Sequence, residues 1–276
     1  MKEITELSFH EIFSHSTTRL ECELKNGGIS TGTGFFVFLN DFKNKNEEPR
    51  VALITNKHVI KGAKTGRLTL TEKKEGKIDN THHFNLPHDD FESAWLPHPD
   101  NSIDLCMLNF KPYEILFEGK GIELFYFPIP IGIIPDKKTI ESFDTLEEVI
   151  MIGYPNGIWD SYNNKPIFRK GVTATDFRLN YNNKKEFLID IAVFGGSSGS
   201  PVLLTRVAYD ENKNPHREVY FLGILYAGFQ HRANGEIKIV EIPQTHKTLI
   251  ETLIPNNLGI VIKSNRIIDF RNLFYK

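Results

Sequence analysis

The chain has 276 residues, of which 40% are hydrophobic and 25% are charged. This composition is average for a globular protein, so it excludes intrinsic disorder and allows a sizeable core. The formal net charge is -2, from 33 basic and 35 acidic residues. Because no segment concentrates Lys and Arg, the sequence excludes nucleic acid and anionic membranes as expected partners.

Two cysteines and the composition of the N-terminus indicate the cellular compartment. Cys22 and Cys106 cannot form the framework of a disulfide-stapled domain, so we expect two buried thiols. The opening residues MKEITELSFHEIF place Lys and Glu among the apolar positions, unlike a signal peptide, and no apolar run reaches the length of a membrane span. We therefore expect a cytoplasmic protein that does not bind a membrane.

Short β-branched and aromatic runs recur along most of the chain, separated by turn residues. This pattern is typical of a sandwich or barrel, and pairs such as Asn234-Gly235 mark the hairpin turns. The sequence therefore predicts a mainly β fold. The predicted strands cover residues 20–24, 34–39, 51–55, 67–71, 105–110, 149–153, 167–173, 187–193, 201–206, 218–225, 236–241 and 259–262.

Helical periodicity is confined to three segments. We predict helical turns before Thr17, a helix over residues 243–254, and a terminal helix over residues 264–274. Ser264 is a suitable N-cap for the last of these, because its hydroxyl can accept a hydrogen bond from a free backbone N–H. A helix this short must pack against the β structure.

The domain organisation follows from the least strand-like part of the chain. Residues 111–146 are rich in Pro, Gly and charge, so we predict that they connect two β units. The expected organisation is a single domain over residues 1–276. Its two β units are predicted over about residues 17–125 and 140–262.

A Gly/Ser-rich string at residues 194–201, FGGSSGSP, carries the strongest catalytic signal. Its glycines permit backbone angles that turn N–H groups inward and expose a serine. Serine hydrolysis needs such a nucleophile, together with N–H groups that bind the developing oxyanion. The string predicts Ser198 as nucleophile and the N–H groups of Gly196 and Ser198 as an oxyanion hole. A simple hairpin turn is the structural alternative.

An imidazole and a carboxylate that suit this serine precede it in the chain. His58 ends a polar turn that follows the apolar run VALIT, and Asp104 stands directly before the apolar run LCML. In a serine hydrolase the imidazole takes the serine proton and the carboxylate orients the imidazole. Considered singly, His58 also fits a packed or solvent-facing residue, and Asp104 fits a residue at the start of a strand.

Three motifs resemble those of a known family in the same order and at similar spacing. TNKHV at residues 55–59, SIDLCML at 102–108 and GGSSGSPV at 195–202 are similar to the His, Asp and Ser motifs of the trypsin-like, chymotrypsin-fold serine proteases. The strings GTGFFV and GILYAG extend the resemblance from about Gly32 to Gly228. Within the family the chain resembles stand-alone bacterial peptidases related to the HtrA-type branch, although no PDZ domain is recognisable.

This resemblance implies a fold and a function. The fold would be two six-stranded antiparallel β-barrels with a C-terminal helix. The function would be a serine endopeptidase with the triad His58, Asp104 and Ser198, acting on a protein or peptide without a cofactor or metal. The alternative is a catalytically silent or latent module that acts by binding, or that a regulatory protein switches on in bacterial defence or signalling.

The resemblance also implies where a substrate side chain binds. Ala192 takes the base position where trypsin carries an acidic residue, so we expect a preference for small to medium apolar side chains over Lys or Arg. Ser197 stands where digestive relatives have an aspartate, so activation by a newly cleaved N-terminus is not expected. The expected substrate-binding residues are Ala192, Phe194, Gly195, Tyr226, Ala227 and Gly228.

Two rival assignments concern the nucleophile and the acid. GGSSG also satisfies G-x-S-x-G with Ser197 as nucleophile, but that elbow leads into a helix, and an apolar strand-like run follows here. Asp100 lies in a turn without a directly following apolar run, which favours Asp104 as the acid. The bases available to a Ser197 nucleophile would be His216, His231 and His246.

A cluster of histidines and aspartates raises the question of a metal site. The spacing of these residues matches no usual zinc pattern, and Asn85 and Pro87 lie among them. The sequence therefore predicts a solvated loop here and no metal. The residues in question are His82, His83, His88, Asp89 and Asp90.

Overall fold

The computed structural model describes residues 2–40, 50–236 and 249–273, with side chains for residues 5–40, 50–230 and 255–273. Strands form most of the regular structure, and the helices are short. No helix in these ranges is long and apolar enough to cross a membrane.

Sixteen strands lie in the described ranges. In chain order they are β1 Lys2–Glu3, β2 Thr17–Leu24, β3 Ile29–Phe38, β4 Val51–Thr55, β5 Ala63–Lys74, β6 Lys77–Asp89, β7 Leu96–Pro97, β8 Cys106–Asn109, β9 Glu123–Phe125, β10 Ile129–Pro130, β11 Glu148–Gly153, β12 Ile167–Thr173, β13 Glu186–Asp190, β14 Pro201–Tyr209, β15 Pro215–Glu236 and β16 Leu249–Lys263.

Short helices join these strands within the same ranges. The α-helices are α1 Phe9–Phe13, α2 Lys57–Ile60, α3 Lys111–Glu118 and α4 Lys137–Glu141. The 3₁₀-helices are Ile4–Glu6, Phe91–Ala94, Ile131–Ile133, Pro155–Gly157, Tyr181–Asn183 and Ser264–Leu273.

The first β unit is a ten-stranded sheet in the order β1-β6-β5-β2-β3-β4-β8-β7, with β9 paired to β5 and β10 paired to β3. β4 is buried along its whole length, as its sequence VALIT requires. A core that includes Leu20, Phe36, Leu53 and Leu68 fills this unit. The unit thereby holds the end of β4, and the turn after it, in a fixed position.

The second β unit is a closed six-stranded barrel in the order β11-β12-β13-β16-β15-β14. Its core includes Met151, Phe187, Val202, Leu222 and Val261, which are all buried. Closure pairs every strand on both sides and leaves no open edge. The loop between β13 and β14 therefore begins and ends on strands of a rigid barrel.

A third apolar cluster joins the two units. It combines Phe35 and Ile54 of the first unit with Phe221 and Ile224 of the barrel, all fully buried. The rings of Phe35 and Phe221 meet edge to face, with 5.5 Å between their centroids. The terminal 3₁₀-helix adds Ile267 to the same cluster. Burial of this surface fixes one unit against the other.

The predicted mainly β fold is confirmed, and the second unit forms the expected six-stranded barrel. The first unit differs from a six-stranded barrel, because short strands such as β9 and β10 join its sheet and β10 pairs parallel to β3. In the chain, the first sheet extends from β1 (Lys2–Glu3) to β10 (Ile129–Pro130). The barrel extends from β11 (Glu148–Gly153) to β16 (Leu249–Lys263). Residues 111–146, predicted as the connection, contain two α-helices and also β9 and β10 of the first sheet, so only residues 131–147 separate the two sheets.

The predicted solvated loop around His82, His83 and His88 is wrong, because these residues belong to β6. This strand pairs with β5 from Lys77 to Asp89. Most of its side chains are half-buried or exposed, so a polar sequence suits a strand here. The described part of the chain contains no group of three side chains that could hold a metal ion.

The helix predictions have mixed outcomes. α1 provides the helical turn expected before Thr17, and Ser8 and Glu11 form a capping box at its start. The terminal segment is a 3₁₀-helix that already includes Ser264, so this serine is not a preceding cap. In the predicted helix 243–254, residues 243–248 lie outside the described residues and residues 249–254 begin β16, so the helix is wrong there. Of the predicted strand 236–241, only Glu236 is described.

Both cysteines are buried and unbridged, as expected. Burial raises the pKa of the Cys22 thiol to about 12, with a smaller contribution from the Glu21 carboxylate. Burial also raises the pKa of Cys106 well above its ordinary value. Both side chains therefore act as apolar core residues at neutral pH.

A buried histidine shortly after α1 makes the stability of the fold sensitive to acid. His15 is 4% exposed, and its Nε2 lies 2.5 Å from the Lys165 amine. Burial, and secondarily the charge of Lys165, lower the pKa of His15 from 6.5 to about 3. The unfolded chain binds a proton here below pH 6.5, whereas the folded chain does not, so stability must fall as pH falls.

We predict that the free energy of unfolding drops by about 2 kcal/mol from this group alone between pH 7 and pH 5. Urea unfolding at both pH values measures the drop. His15→Gln removes the titrating group and should reduce the drop by that amount. An equal drop in the variant and the wild type would contradict the prediction.

Candidate active site

His58, Asp104 and Ser198 come from three segments that meet between the two β units. His58 lies in α2, directly after β4, and Asp104 lies just before β8. β4 and β8 pair antiparallel with Thr55 opposite Cys106, which brings the ends that carry His58 and Asp104 together. Ser198 lies in the loop between β13 and β14 of the barrel.

The three side chains are connected by hydrogen bonds. His58 Nδ1 lies 2.5 Å from Asp104 Oδ2, and His58 Nε2 lies 2.9 Å from Ser198 Oγ. The backbone N–H of His58 also donates to Asp104 Oδ1, at 3.2 Å. A carboxylate at Nδ1 selects the tautomer that carries its proton there. His58 Nε2 is then free to accept the proton of Ser198 Oγ–H.

The surroundings hold the backbone of Asp104 and leave the imidazole of His58 open. The Asn56 side-chain amide donates to the Asp104 carbonyl oxygen at 2.7 Å. The His58 side chain is 46% exposed and that of Asp104 is 26% exposed, so a substrate can reach the imidazole. The rival Asp100 is bonded to Ser102 and Arg266. The structure thus brings Asp104, and not Asp100, to His58.

Two glycines give the Ser198 loop its shape. Gly196 and Gly199 have φ values of +82° and +87°, which other residues adopt only with strain. A Cβ on Gly199 would lie 1.9 Å from the Thr33 carbonyl oxygen, and one on Gly196 would lie 2.5 Å from the Tyr154 carbonyl oxygen. The backbone N–H of Thr33 donates to the Ser198 carbonyl at 2.8 Å. The loop is therefore packed directly onto the first unit.

The rival nucleophile Ser197 does not fit the structure. Its side chain is fully buried, and its hydroxyl has no hydrogen-bond partner among the described residues. The loop leads into the strand β14 rather than the helix that an elbow motif requires. Of its three candidate bases, His216 is exposed beside Glu218, and the side chains of the other two are not described.

The peptide bond between Gly195 and Gly196 has a defined orientation. The Gly195 carbonyl oxygen accepts a hydrogen bond from the backbone N–H of Asn156 at 2.5 Å. In a planar trans peptide the N–H points opposite to the C=O. The Gly196 N–H is therefore directed away from Asn156, whose own backbone holds the strained φ of 51°.

The first group of expected substrate-binding residues lies in one loop before the nucleophile. The Ala192 carbonyl accepts a hydrogen bond from Arg169 Nη1 at 3.0 Å. The Arg169 guanidinium lies over the Phe194 ring, 5.0 Å from its centroid. Gly195 is exposed. Arg169 therefore fastens this loop to the strand β12.

The second group lies on β15 at the other side of the nucleophile. Ser198 Oγ lies 3.4 Å from the Tyr226 carbonyl oxygen, while the Tyr226 hydroxyl donates to Glu186 at 3.0 Å. Ala227 and Gly228 continue the strand, opposite residues 260 and 259 of β16. The Tyr226 side chain lines a cavity of about 510 Å³ beside Asp104. Its backbone, rather than its ring, faces Ser198.

Sequence reasoning missed the residues that join the site to its supports. Thr33 Oγ1 donates to the Gly196 carbonyl at 3.1 Å and accepts from the Tyr154 N–H at 3.2 Å. The string GTGFFV contains Thr33, but nothing in the sequence indicates this contact. Asn156 lies in the string IGYPNG at residues 152–157, and nothing in that string indicates its contact with the Gly195 carbonyl.

A serine, an imidazole and a carboxylate in this arrangement, held between two β units, define a protein of the trypsin-like hydrolase class. The family model described as "Trypsin-like peptidase domain" matches residues 32–207, which is more than half of the chain. The chain therefore belongs to the trypsin-like peptidase domain family.

Individual relatives agree with this family. The chain is 26% identical over 220 residues to the glutamyl endopeptidase of Staphylococcus epidermidis, covering 79% of this chain and 62% of that protein. A solved structure of the HtrA-type protease AlgW with tripeptide is similar in fold, with a TM-score of 0.50 and 15% identity. That match covers 95% of this chain and 61% of AlgW. The chain thus spans less than two thirds of both proteins.

Substitution of Gly199 tests the packing of the nucleophile loop. Gly199→Ala should lower the free energy of unfolding by about 1–2 kcal/mol from the positive φ and by about 2 kcal/mol more from the clash with Thr33. Urea unfolding measures this loss. Gly27→Ala is the matched control, because Gly27 has φ +83° and open space at its Cβ position. Equal losses in both variants would contradict the packing argument.

Proposed function

We propose that this chain is a serine endopeptidase with His58, Asp104 and Ser198 as its catalytic triad. The observation that carries the proposal is the continuous chain of hydrogen bonds from Asp104 through His58 to Ser198 Oγ. Membership of the trypsin-like peptidase family supports hydrolysis of peptide bonds.

In the proposed reaction, Ser198 Oγ attacks the carbonyl carbon of a peptide bond while His58 Nε2 takes the hydroxyl proton. Asp104 stabilises the resulting imidazolium. The imidazolium then gives its proton to the leaving amine, and an acyl group remains on Ser198. Water, deprotonated by His58, hydrolyses this ester and restores the serine hydroxyl.

The tetrahedral intermediate carries a negative oxygen that needs hydrogen-bond donors. We assign this role to the backbone N–H groups of Gly196 and Ser198. The bond from Asn156 to the Gly195 carbonyl supports this assignment, because it turns the Gly196 N–H to the opposite side. Preorganised N–H donors of this kind contribute about 3–4 kcal/mol to transition-state stabilisation.

Proteins or peptides are the substrates that this proposal requires. The name of the relative from Staphylococcus epidermidis denotes an endopeptidase, and AlgW was solved with a tripeptide. Both observations favour a polypeptide substrate for this chain. A catalytically silent or latent module remains the alternative, and its serine would not react with an activated electrophile.

Replacement of Ser198 tests the nucleophile. Ser198→Ala should lower peptide turnover on the order of 10⁶-fold and abolish labelling by a fluorophosphonate, because no other group can form the acyl-enzyme. Mass spectrometry of the labelled wild type should find the adduct on Ser198. Ser197→Ala is the matched control, since the Ser197 hydroxyl is buried without a partner in the described part of the chain, and it should keep its activity and labelling. Unchanged activity in Ser198→Ala would contradict the assignment.

Replacement of Asp104 tests the orienting acid. Asp104→Asn should lower kcat about 10⁴-fold, because an amide at this position selects the wrong tautomer of His58. Steady-state kinetics on one peptide measure the effect. Asp100→Asn alters the rival carboxylate, which contacts Arg266 and Ser102, and should keep most of the turnover. A larger loss in Asp100→Asn would reverse the assignment of the acid.

A further inference from the structure

Two segments form walls beside Ser198: the loop residues that precede it and the strand β15. The Gly199 N–H donates to the Leu225 carbonyl at 2.8 Å, and the Leu225 N–H donates to the Ser200 carbonyl at 3.0 Å. β15 therefore runs beside the nucleophile loop and continues past Ser198 through Gly228. The expected substrate-binding residues lie on this strand, whose Tyr226 carbonyl is 3.4 Å from Ser198 Oγ, and in the loop that precedes Ser198, so the side chain of a residue esterified to Ser198 is expected between the two.

Val193 fills the space between these walls. A Cβ built on Gly228 would lie 3.1 Å from Val193 Cγ1, and one built on Gly259 would lie 3.0 Å from Val193 Cγ2. Gly228 and Gly259 are paired across β15 and β16. The two glycines thus leave room that the isopropyl group of Val193 takes up, rather than an open space.

The walls around Val193 are apolar and fixed. A Cβ built on Gly259 would also lie 3.1 Å from Ile189 Cγ1 and 2.7 Å from Leu225 Cδ1. Val193 itself packs partly buried against the barrel core. Arg169 holds the neighbouring Ala192 carbonyl, so the loop is tied down beside Val193. A larger side chain could enter only by displacing well-packed groups.

One cation, Arg169, lies against the loop that contains Val193. The Arg169 guanidinium donates to the Ala192 carbonyl and lies over the Phe194 ring. Arg169 Nε is buried without a hydrogen-bond partner among the described residues, so charge does not exclude a carboxylate here, and the exclusion of acidic side chains rests on size.

We propose that Val193 is a specificity-determining residue that restricts the cleaved residue, whose carbonyl Ser198 attacks, to small side chains such as Ala. The proposal rests on the proposed peptidase function and narrows its substrate class. Aromatic, long acidic and basic side chains are excluded by size at the same position.

Matched peptides that differ only at the cleaved residue test the proposal. The probes carry Ala, Phe, Glu or Arg there, and kcat/KM is measured for wild type, Val193→Ala and Val193→Gly. The wild type should prefer Ala over Phe, Glu and Arg by at least about tenfold. Both variants should raise the ratio of kcat/KM for Phe over Ala by about tenfold or more, with Gly the larger effect. Val219→Ala, a valine packed at the junction of the units, should leave the ratio unchanged.

The outcomes separate the specificity proposal from the peptidase proposal. Wild-type preference for Phe, Glu or Arg, or an unchanged ratio in both Val193 variants, overturns the role of Val193 while Ser198 still reacts with a fluorophosphonate. If a Val193 variant fails to fold, the wild-type preference and the remaining variant decide. Loss of both labelling and cleavage in the wild type overturns the peptidase proposal, and the specificity proposal with it.

Discussion

The packing of the two β units against each other is the constraint on which the site depends. His58 and Asp104 belong to the first unit and Ser198 to the second, so the 2.9 Å contact between His58 Nε2 and Ser198 Oγ exists only while the two units keep this relative position. The shared apolar cluster around Phe35 and Phe221 holds the units in that position. Thr33 adds a direct link, because its backbone N–H binds the Ser198 carbonyl.

Much of this organisation could be predicted from the sequence. Apolar β-branched runs such as VALIT give strands regardless of their partners, and the Gly/Ser string needs positive φ at Gly196 and Gly199. The order of His58, Asp104 and Ser198 indicated that the segments would meet. The catalytic roles of these residues stay predictions, supported by their contacts.

Other features depend on contacts between distant segments and leave no local signal. β6 has the composition of a loop but pairs with β5, because one solvated face tolerates its polar residues. Residues 249–254 have an apolar pattern that fits a helix but pair with the neighbouring strand β15. Val193 has the sequence signal of a strand valine, and only the structure shows that its two methyl groups pack against Gly228 and Gly259.

Proton transfer from Ser198 to His58 requires that the two side chains act as one unit. A double-mutant cycle on turnover tests this requirement most directly, with His58→Ala, Ser198→Ala and the double variant compared with wild type. If one proton passes between the two side chains, either single change already removes the catalytic step, and the double variant should be no slower than the slower single variant. Losses that multiply in the double variant would mean that the two residues act independently, and would contradict the account.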